Sequence, residues 1–170
     1  MVTMYNVVGM WNKRKFGGFT LIEMLVTIGV MAVMAAGISS VAGLGSKRFA
    51  RDADRQADLQ TIISSILMYR NDLSYYPACP GAAASCSMAS VAGLTPTYLQ
   101  TIPADSVAGR IYRYRPMTAA GGACNNPGTR CARFTICASS EKDTTTNNDV
   151  QCGGNCGSAT AHCVFMQTNP

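Results

Sequence analysis

The chain has 170 residues and a mass of 18.0 kDa, enough for one ordinary domain with an accessory segment, which excludes large multidomain machinery. Charged residues are 14% of the chain, hydrophobic residues are 48% and the formal net charge is +5, so neither a disordered chain nor a nucleic-acid coat is expected. All eight cysteines lie between Cys79 and Cys163, and this crowding predicts disulfides formed in an oxidising compartment.

The first predicted element is an apolar helix over residues 19–44. At about 1.5 Å per residue, a helix of this length exceeds the thickness of a bilayer's hydrocarbon core. The basic cluster from Lys13 to Lys15 precedes it and predicts a cytoplasmic N-terminus, with the rest of the chain outside. A cleaved secretory signal is the alternative, but the apolar run is longer than the roughly 7–15 residues usual in such signals. A lone carboxylate in a membrane helix is costly, so Glu23 is a predicted functional residue.

The residues around Glu23 form a motif. Residues 15–25 read KFGGFTLIEML, and this run resembles the N-terminal signature of type IV prepilins and of the related pseudopilins. The resemblance implies that a prepilin peptidase removes the leader, residues 1–18, by cutting after Gly18. It also implies N-methylation of the new N-terminal Phe19, and pairing of Glu23 with the terminal amine of a neighbouring subunit during assembly.

The helical pattern continues over residues 45–70, where an apolar stripe recurs at helical spacing. One continuous helix from Phe19 to about Arg70 is expected. A solvated face is the favoured interpretation of its charged residues from Lys47 to Asp58, and subunit-to-subunit contacts in a filament are the alternative. Ser40 departs from the family pattern, because many Gram-negative members have a proline there that loosens the helix. The stripe consists of Leu59, Ile62, Ile63, Ile66 and Leu67.

Residues 71–170 are predicted to form a disulfide-rich globular head. Turn and breaker residues from Asn71 to Pro80 end the helix, and strands are expected at 110–115, 133–138 and 163–166. Short polar linkers favour an antiparallel sheet of three or four strands. The expected fold class is α+β: a long N-terminal helix, membrane-spanning in its first half, packed on a small antiparallel sheet that disulfides stabilise.

Loop closure sorts the cysteines into pairs. The favoured map joins Cys79 to Cys86, Cys124 to Cys131, Cys137 to Cys163 and Cys152 to Cys156. For the last four an alternative stays open, in which Cys137 pairs with Cys152 and Cys156 with Cys163. A second alternative is zinc held by Cys152, Cys156, His162 and Cys163, which the irregular spacing and the oxidising compartment disfavour.

The search for catalytic chemistry finds no motif. His162 is the only histidine, and there is no Gly-x-Ser-x-Gly, Walker, Rossmann or His-Glu-x-x-His pattern, so neither an enzyme nor a cofactor is expected. An oxygen-rich loop contains Asp143, Asn147 and Asp149, where some major pseudopilins hold calcium. Polar turn residues explain this loop without a metal, and calcium is the less favoured interpretation.

Arginines make the head locally basic. A solvated strand face is the favoured interpretation, and a patch that neutralises phosphates in a DNA-uptake fibre is the alternative. Nucleic acid is therefore a disfavoured partner. The arginines are Arg110, Arg113, Arg115, Arg130 and Arg133.

The resemblance implies a structural subunit of a type IV pilus-like filament. Its expected partners are further copies of itself, other pilins, the prepilin peptidase, the pilus assembly platform with its ATPase, and the cytoplasmic membrane. The precursor would be a single-pass membrane protein with an extracytoplasmic head, and the assembled fibre would be extracellular or periplasmic. One alternative is a pseudopilin of a type II secretion or DNA-uptake system. An alternative of another class is a membrane-anchored binding module that never polymerises.

Overall fold

The computed structural model describes residues 18–41 and 44–169, and the chain divides into two compact units. The N-terminal unit ends at residue 42 and contains helix α1 (Leu21–Val41); the head unit begins at residue 43. The expected leader lies outside the described residues except for Gly18. The expected continuity of one helix also falls outside them, at residues 42 and 43.

A capping box begins helix α1. The Thr20 hydroxyl oxygen accepts the Glu23 backbone N–H at 3.3 Å, while the Thr20 N–H and hydroxyl each donate to Glu23 Oε2 at 3.0 Å. This reciprocal arrangement satisfies donors that the first helical turn leaves without intrahelical partners. It fixes the start of the helix immediately after Thr20.

The head unit contains two helices and a four-stranded antiparallel sheet of order β1-β2-β3-β4. Three of the strands overlap the segments predicted from the sequence, and the two-residue β1 was not predicted. The elements are α2 (Leu44–Leu73), β1 (Cys86–Ser87), β2 (Arg113–Met117), β3 (Arg133–Ser139), α3 (Asp149–Cys152) and β4 (Cys163–Asn169), with 3₁₀ turns at Pro80–Ala82 and Met88–Ser90.

The expected α+β class is confirmed. The expected membrane-spanning half of the helix is not: within the described residues, no helix is both long and apolar enough to cross a bilayer.

The main core lies between α2 and one face of the sheet. Helix α2 contributes three buried side chains of the predicted stripe, whereas Ile63 is partly buried and Leu67 is exposed. Successive strand residues point to opposite faces, so alternate residues of β2 and β3 meet this helix. The core includes Leu59, Ile62 and Ile66 from α2, Tyr114 from β2, and Phe134 and Ile136 from β3.

The opposite face of the sheet carries a second, smaller core. Cys137 of β3 alternates with the residues of the main core, and helix α3 packs against β2, β3 and β4. Its members are the fully buried Cys137, Cys152, Cys156 and Cys163. The head therefore has α2 on one face of its sheet and, on the other, a cystine-rich segment that comprises residues 149–162.

Candidate functional site

The motif residues lie at the start of the described chain. Gly18 is exposed, and Phe19 is 76% exposed. Glu23 is also exposed, with its carboxylate held by the Thr20 N–H, one residue from the Phe19 amine. Cleavage after Gly18 would thus create a positive amine near a carboxylate. Sequence reasoning identified Glu23 but missed its capping role, which the Thr-x-x-Glu spacing could have indicated.

Helix α1 exposes apolar side chains around its whole circumference. Consecutive residues of a helix point in different directions, about 100° apart, so a run of exposed apolar residues leaves no polar face. An apolar helical surface of this kind is stable only when lipid or other protein covers it. The large exposed side chains are Leu21, Ile22, Met24, Leu25, Val26, Ile28, Val30, Met31, Val33 and Met34.

In the head, the charge run of α2 is not simply a solvated face. Arg55 is only 1% exposed, and its guanidinium donates to Asp105 Oδ2 at 2.6 Å and to Glu141 Oε1 at 2.8 Å. It also donates to Asp52, one helical turn earlier. Arg51 adds a second hydrogen bond to Glu141 Oε1, at 2.7 Å. The expectation of a fully solvated face is therefore wrong, because two distant loops supply acids that only the fold brings to α2.

The arginines control the ionisation of this cluster. The hydrogen bonds from Arg51, aided by Arg55 and opposed by burial, lower the pKa of the Glu141 carboxyl to about 2. Burial alone would raise the pKa of Asp105, but hydrogen bonding to Arg55 outweighs it and lowers that pKa. The same balance lowers the pKa of Asp52, which accepts hydrogen bonds from Ser140 and two backbone N–H groups. The three carboxyl groups therefore stay ionised. Asp105 and Glu141 connect α2 to the two loops that contain them.

Arginines on the other face of the sheet hold the cystine-rich segment. Arg115 donates to the carbonyl oxygens of Val150 and Gln151, each at 3.0 Å, and Arg113 donates to the carbonyl of Asn155 at 2.9 Å. Arg110 similarly donates to Ser139 and to the Ser140 carbonyl, whereas Arg130 and Arg133 are exposed. The solvated-face interpretation is wrong for Arg110, Arg113 and Arg115, and their intrachain bonds also weaken the nucleic-acid alternative.

Two of the disulfides follow the favoured map. The structure pairs Cys79 with Cys86 and Cys124 with Cys131. For the other four cysteines the favoured map is wrong. The structure joins Cys137 to Cys152 and Cys156 to Cys163, which is the alternative pairing.

The unpredicted helix α3 explains the correction. Cys152 is its last residue, and the packing of α3 on the sheet places this side chain against Cys137. The turn that follows requires glycine, since Gly153 has a φ of 77° and a Cβ there would lie 2.7 Å from Ser85 Cβ. The chain then brings Cys156 back to the start of β4, where the Cys156 N–H donates to the Ala161 carbonyl at 2.9 Å. Spacing alone could not reveal this path.

The candidate metal ligands have other partners. Disulfides engage all three cysteines of the zinc alternative, and His162 Nδ1 lies 2.6 Å from Asp149 Oδ2. In the calcium alternative, Asp149 also accepts the Cys163 N–H at 2.7 Å, and Asn147 Oδ1 accepts the Asp149 N–H at 2.9 Å. The Asp143 carboxylate binds the hydroxyls and N–H groups of its own turn instead, and these bonds lower its pKa. Asn147 and Asp149 are thus hydrogen-bonded to each other, whereas the Asp143 carboxylate bonds only within its own turn among the residues that the structure describes.

An open groove of about 440 Å³ lies between α2 and β4. Phe49 and Phe165 line it, and the Lys142 ammonium lies 4.2 Å from the centre of the Phe49 ring. Asp52 and Ser140, which belong to the charged cluster, form part of its wall. The groove therefore combines two aromatic rings with polar and charged side chains.

The comparisons with known proteins agree with the N-terminal motif. A family model described as the prokaryotic N-terminal methylation motif matches residues 13–39, a range that includes Gly18, Phe19 and Glu23. No curated protein and no solved structure matches the chain. The matched motif belongs to a structural rather than a catalytic class. The chain therefore carries a type IV pilin-like prepilin signature, which supports a type IV pilin-like or pseudopilin protein.

Proposed function

We propose that this chain is a structural subunit of a type IV pilus-like filament, polymerised through its N-terminal helix. The observation that carries the proposal is the apolar surface that α1 exposes on all sides, within the range that the methylation motif matches. Such a surface needs cover, which lipid provides before assembly and neighbouring helices provide in a fibre. The proposed domain organisation is a leader peptide at residues 1–18, the transmembrane and filament-core half of the helix at 19–44, the amphipathic half at 45–70 and the globular head at 71–170.

In the precursor, the apolar segment anchors the chain in the cytoplasmic membrane. The basic residues Lys13 to Lys15 stay on the cytoplasmic side, and the head with its disulfides lies outside. A prepilin peptidase removes the leader after Gly18, and methylation modifies the amine of Phe19. An assembly platform and its ATPase then extract the subunit into the fibre.

Glu23 guides the assembly. Its carboxylate is placed at the N-terminal end of α1, where the capping box holds it near the mature N-terminus. In an apolar fibre core an isolated carboxylate and an isolated amine would each be strongly destabilising, whereas a close pair of them is tolerated. Glu23 of an incoming subunit therefore pairs with the Phe19 amine of a neighbour and sets their register.

The same features suit a pseudopilin of a type II secretion or DNA-uptake system, whose fibre is short. Long surface filaments favour the pilus, whereas a secretion or uptake defect without such filaments favours the pseudopilin. A membrane-anchored module that never polymerises would leave the apolar surface of α1 in lipid. Cross-linking between subunits in intact cells separates this third function from the other two.

Intact-mass analysis of the exported protein tests the proposal. The expected mass is that of a chain beginning at Phe19 with one added methyl group and four disulfides. A Gly18→Asp variant, which changes only the residue before the cut, should retain the leader. An exported wild-type chain that still contains Lys13 to Lys15 would exclude the prepilin assignment.

A further inference from the structure

The two disulfides of the smaller core lie close to each other. The Sγ atoms of Cys137, Cys152 and Cys163 all lie within 4.8 Å of one another, although Cys163 is bonded to Cys156. Thus the Cys163 sulfur of one disulfide lies within 4.8 Å of both sulfurs of the other. All four side chains are fully buried in one cluster that excludes water.

The other disulfides of the described chain have a different setting. Cys79 with Cys86, and Cys124 with Cys131, border the main hydrophobic core, where aromatic and aliphatic side chains surround them. Neither pair belongs to a group of three close sulfurs among the described residues. These two bonds are therefore internal controls with ordinary surroundings.

We propose that the sulfurs of Cys137, Cys152 and Cys163 form a thiol–disulfide exchange site. When the Cys156–Cys163 bond is opened by a thiolate from another molecule, Cys163 is released as a thiolate. Its sulfur attacks Cys137 Sγ, a Cys137–Cys163 bond forms, and the Cys137–Cys152 bond breaks with its electron pair leaving on Cys152. The inner step converts one thiolate and one disulfide into another such pair, so it needs no oxidant or reductant.

Proximity should make the inner step, the attack of Cys163 on the Cys137–Cys152 bond, fast. A thiolate already held within 4.8 Å of its target reacts at an effective concentration far above that of any dissolved thiol. Burial in an apolar cluster raises the pKa of a thiol and lowers its thiolate fraction, which slows exchange without preventing it. Access from outside needs a local opening of the segment after α3, where Gly153 and Gly154 follow Cys152.

Exchange at this site would interconvert the two disulfide maps that the sequence alone leaves open, one containing a Cys137–Cys163 bond and the other a Cys137–Cys152 bond. A head that first closes the Cys137–Cys163 bond can reach the observed pairing without full reduction, because the competing Cys152 sulfur lies nearby. The partner is a thiolate of the extracytoplasmic side, either a small thiol or the cysteine of a thiol oxidoreductase. This property does not depend on the filament role.

A single substitution tests the inner step without any added reductant. In Cys156→Ser, made in the full chain and isolated oxidised, Cys163 has lost its partner and begins as a free thiol. We expect rapid acid quenching, alkylation and peptide mapping to find Cys163 joined to Cys137 or Cys152 in at least a tenth of the molecules. The displaced cysteine should be alkylated in equal amount.

Two matched variants provide the controls. Cys79→Ser leaves Cys86 without a partner beside the main core, and this thiol should be alkylated almost completely. Cys163→Ser leaves Cys156, which lies outside the group of three close sulfurs, and its exchange should be several-fold lower. Complete alkylation of Cys163 in Cys156→Ser, with the Cys137–Cys152 bond intact, would overturn the proposal.

A wild-type experiment covers the case in which Cys156→Ser does not fold. The native chain is treated with one molar equivalent of a phosphine reductant and then alkylated. The proposal expects Cys137–Cys163 peptides in the partly reduced protein and no disulfide between either control pair and the cluster. Recovery of only the four native bonds, each either intact or fully reduced, would contradict exchange.

Discussion

The N-terminal unit and the head differ in where their large apolar side chains lie. Helix α1 exposes large apolar side chains such as Leu21 and Met34, whereas the head buries Leu59, Ile62 and Phe134 between its helix and its sheet. The head is therefore stabilised from within, by packing, ion pairs and disulfides. The N-terminal unit leaves its apolar side chains exposed, and the proposed filament role requires lipid or neighbouring helices to cover them. Substitutions in the head should therefore change stability, whereas substitutions in α1 should change assembly.

The largest change in stability is expected for Arg55→Ala. This substitution removes the cation that Asp52, Asp105 and Glu141 share, and it leaves the buried Asp105 carboxylate without its guanidinium partner. We expect the free energy of unfolding to fall by about 3–5 kcal/mol. Chemical denaturation in detergent measures it.

The exposed Arg48 is the matched control for Arg55. It lies on the same helix, and its replacement by alanine should change the free energy of unfolding by no more than about 0.5 kcal/mol. Equal effects of Arg48→Ala and Arg55→Ala would show that the buried cluster does not stabilise the head.

The next largest change in the free energy of unfolding is expected for loss of the Cys137–Cys152 disulfide, which joins α3 to the sheet. Replacing both Cys137 and Cys152 by alanine removes a bond that closes a separation of 15 residues, with an expected loss of about 3 kcal/mol. Replacing both Cys79 and Cys86, separated by 7 residues, should cost about 2 kcal/mol. The same denaturation assay ranks the two variants, and non-reducing peptide mapping checks the bonds. A stable Cys137–Cys163 bond in the native protein would refute the pairing.

Acid should weaken the head by a smaller amount. The folded-state pKa of Glu141 is about 2, below its ordinary value of 4.5, because Arg51 and Arg55 favour the charged form. This stabilisation is present in full above about pH 4.5 and is lost as the pH falls through about 2. Melting temperatures between these limits should fall less steeply in Glu141→Gln than in wild type. The exposed Asp54→Asn provides a matched carboxylate-to-amide control on the same head, and identical slopes in wild type and Glu141→Gln would contradict the assignment.

The two regions also differ in how much of them the sequence reveals. The motif around Gly18, Phe19 and Glu23 lies in one continuous run, so reading it requires no knowledge of the fold. The strands were located because β-alternation is local, and Phe134 and Ile136 follow it. Within the same run, the Thr20 cap was also readable but was missed.

The rest depended on contacts between distant parts of the chain. Arg55 meets Asp105 and Glu141, which are 50 and 86 residues away, and no local pattern indicates these partners. Helix α3 has only four residues, too few for a periodic signal, yet it decides which sulfur meets Cys137. Short elements and distant ion pairs are set by tertiary packing, which spacing cannot report.

The most direct test of the central claim is filament assembly by Glu23→Val, compared with wild type and with Glu23→Asp. The account predicts that the valine variant is still processed at Gly18 and inserted in the membrane, because removing a carboxylate lowers the cost of apolar surroundings. Its subunits should fail to form sheared filaments or subunit cross-links, whereas the aspartate variant, which retains a carboxylate, should assemble in part. Normal filaments from Glu23→Val would contradict the proposal that this carboxylate pairs with the Phe19 amine of a neighbour.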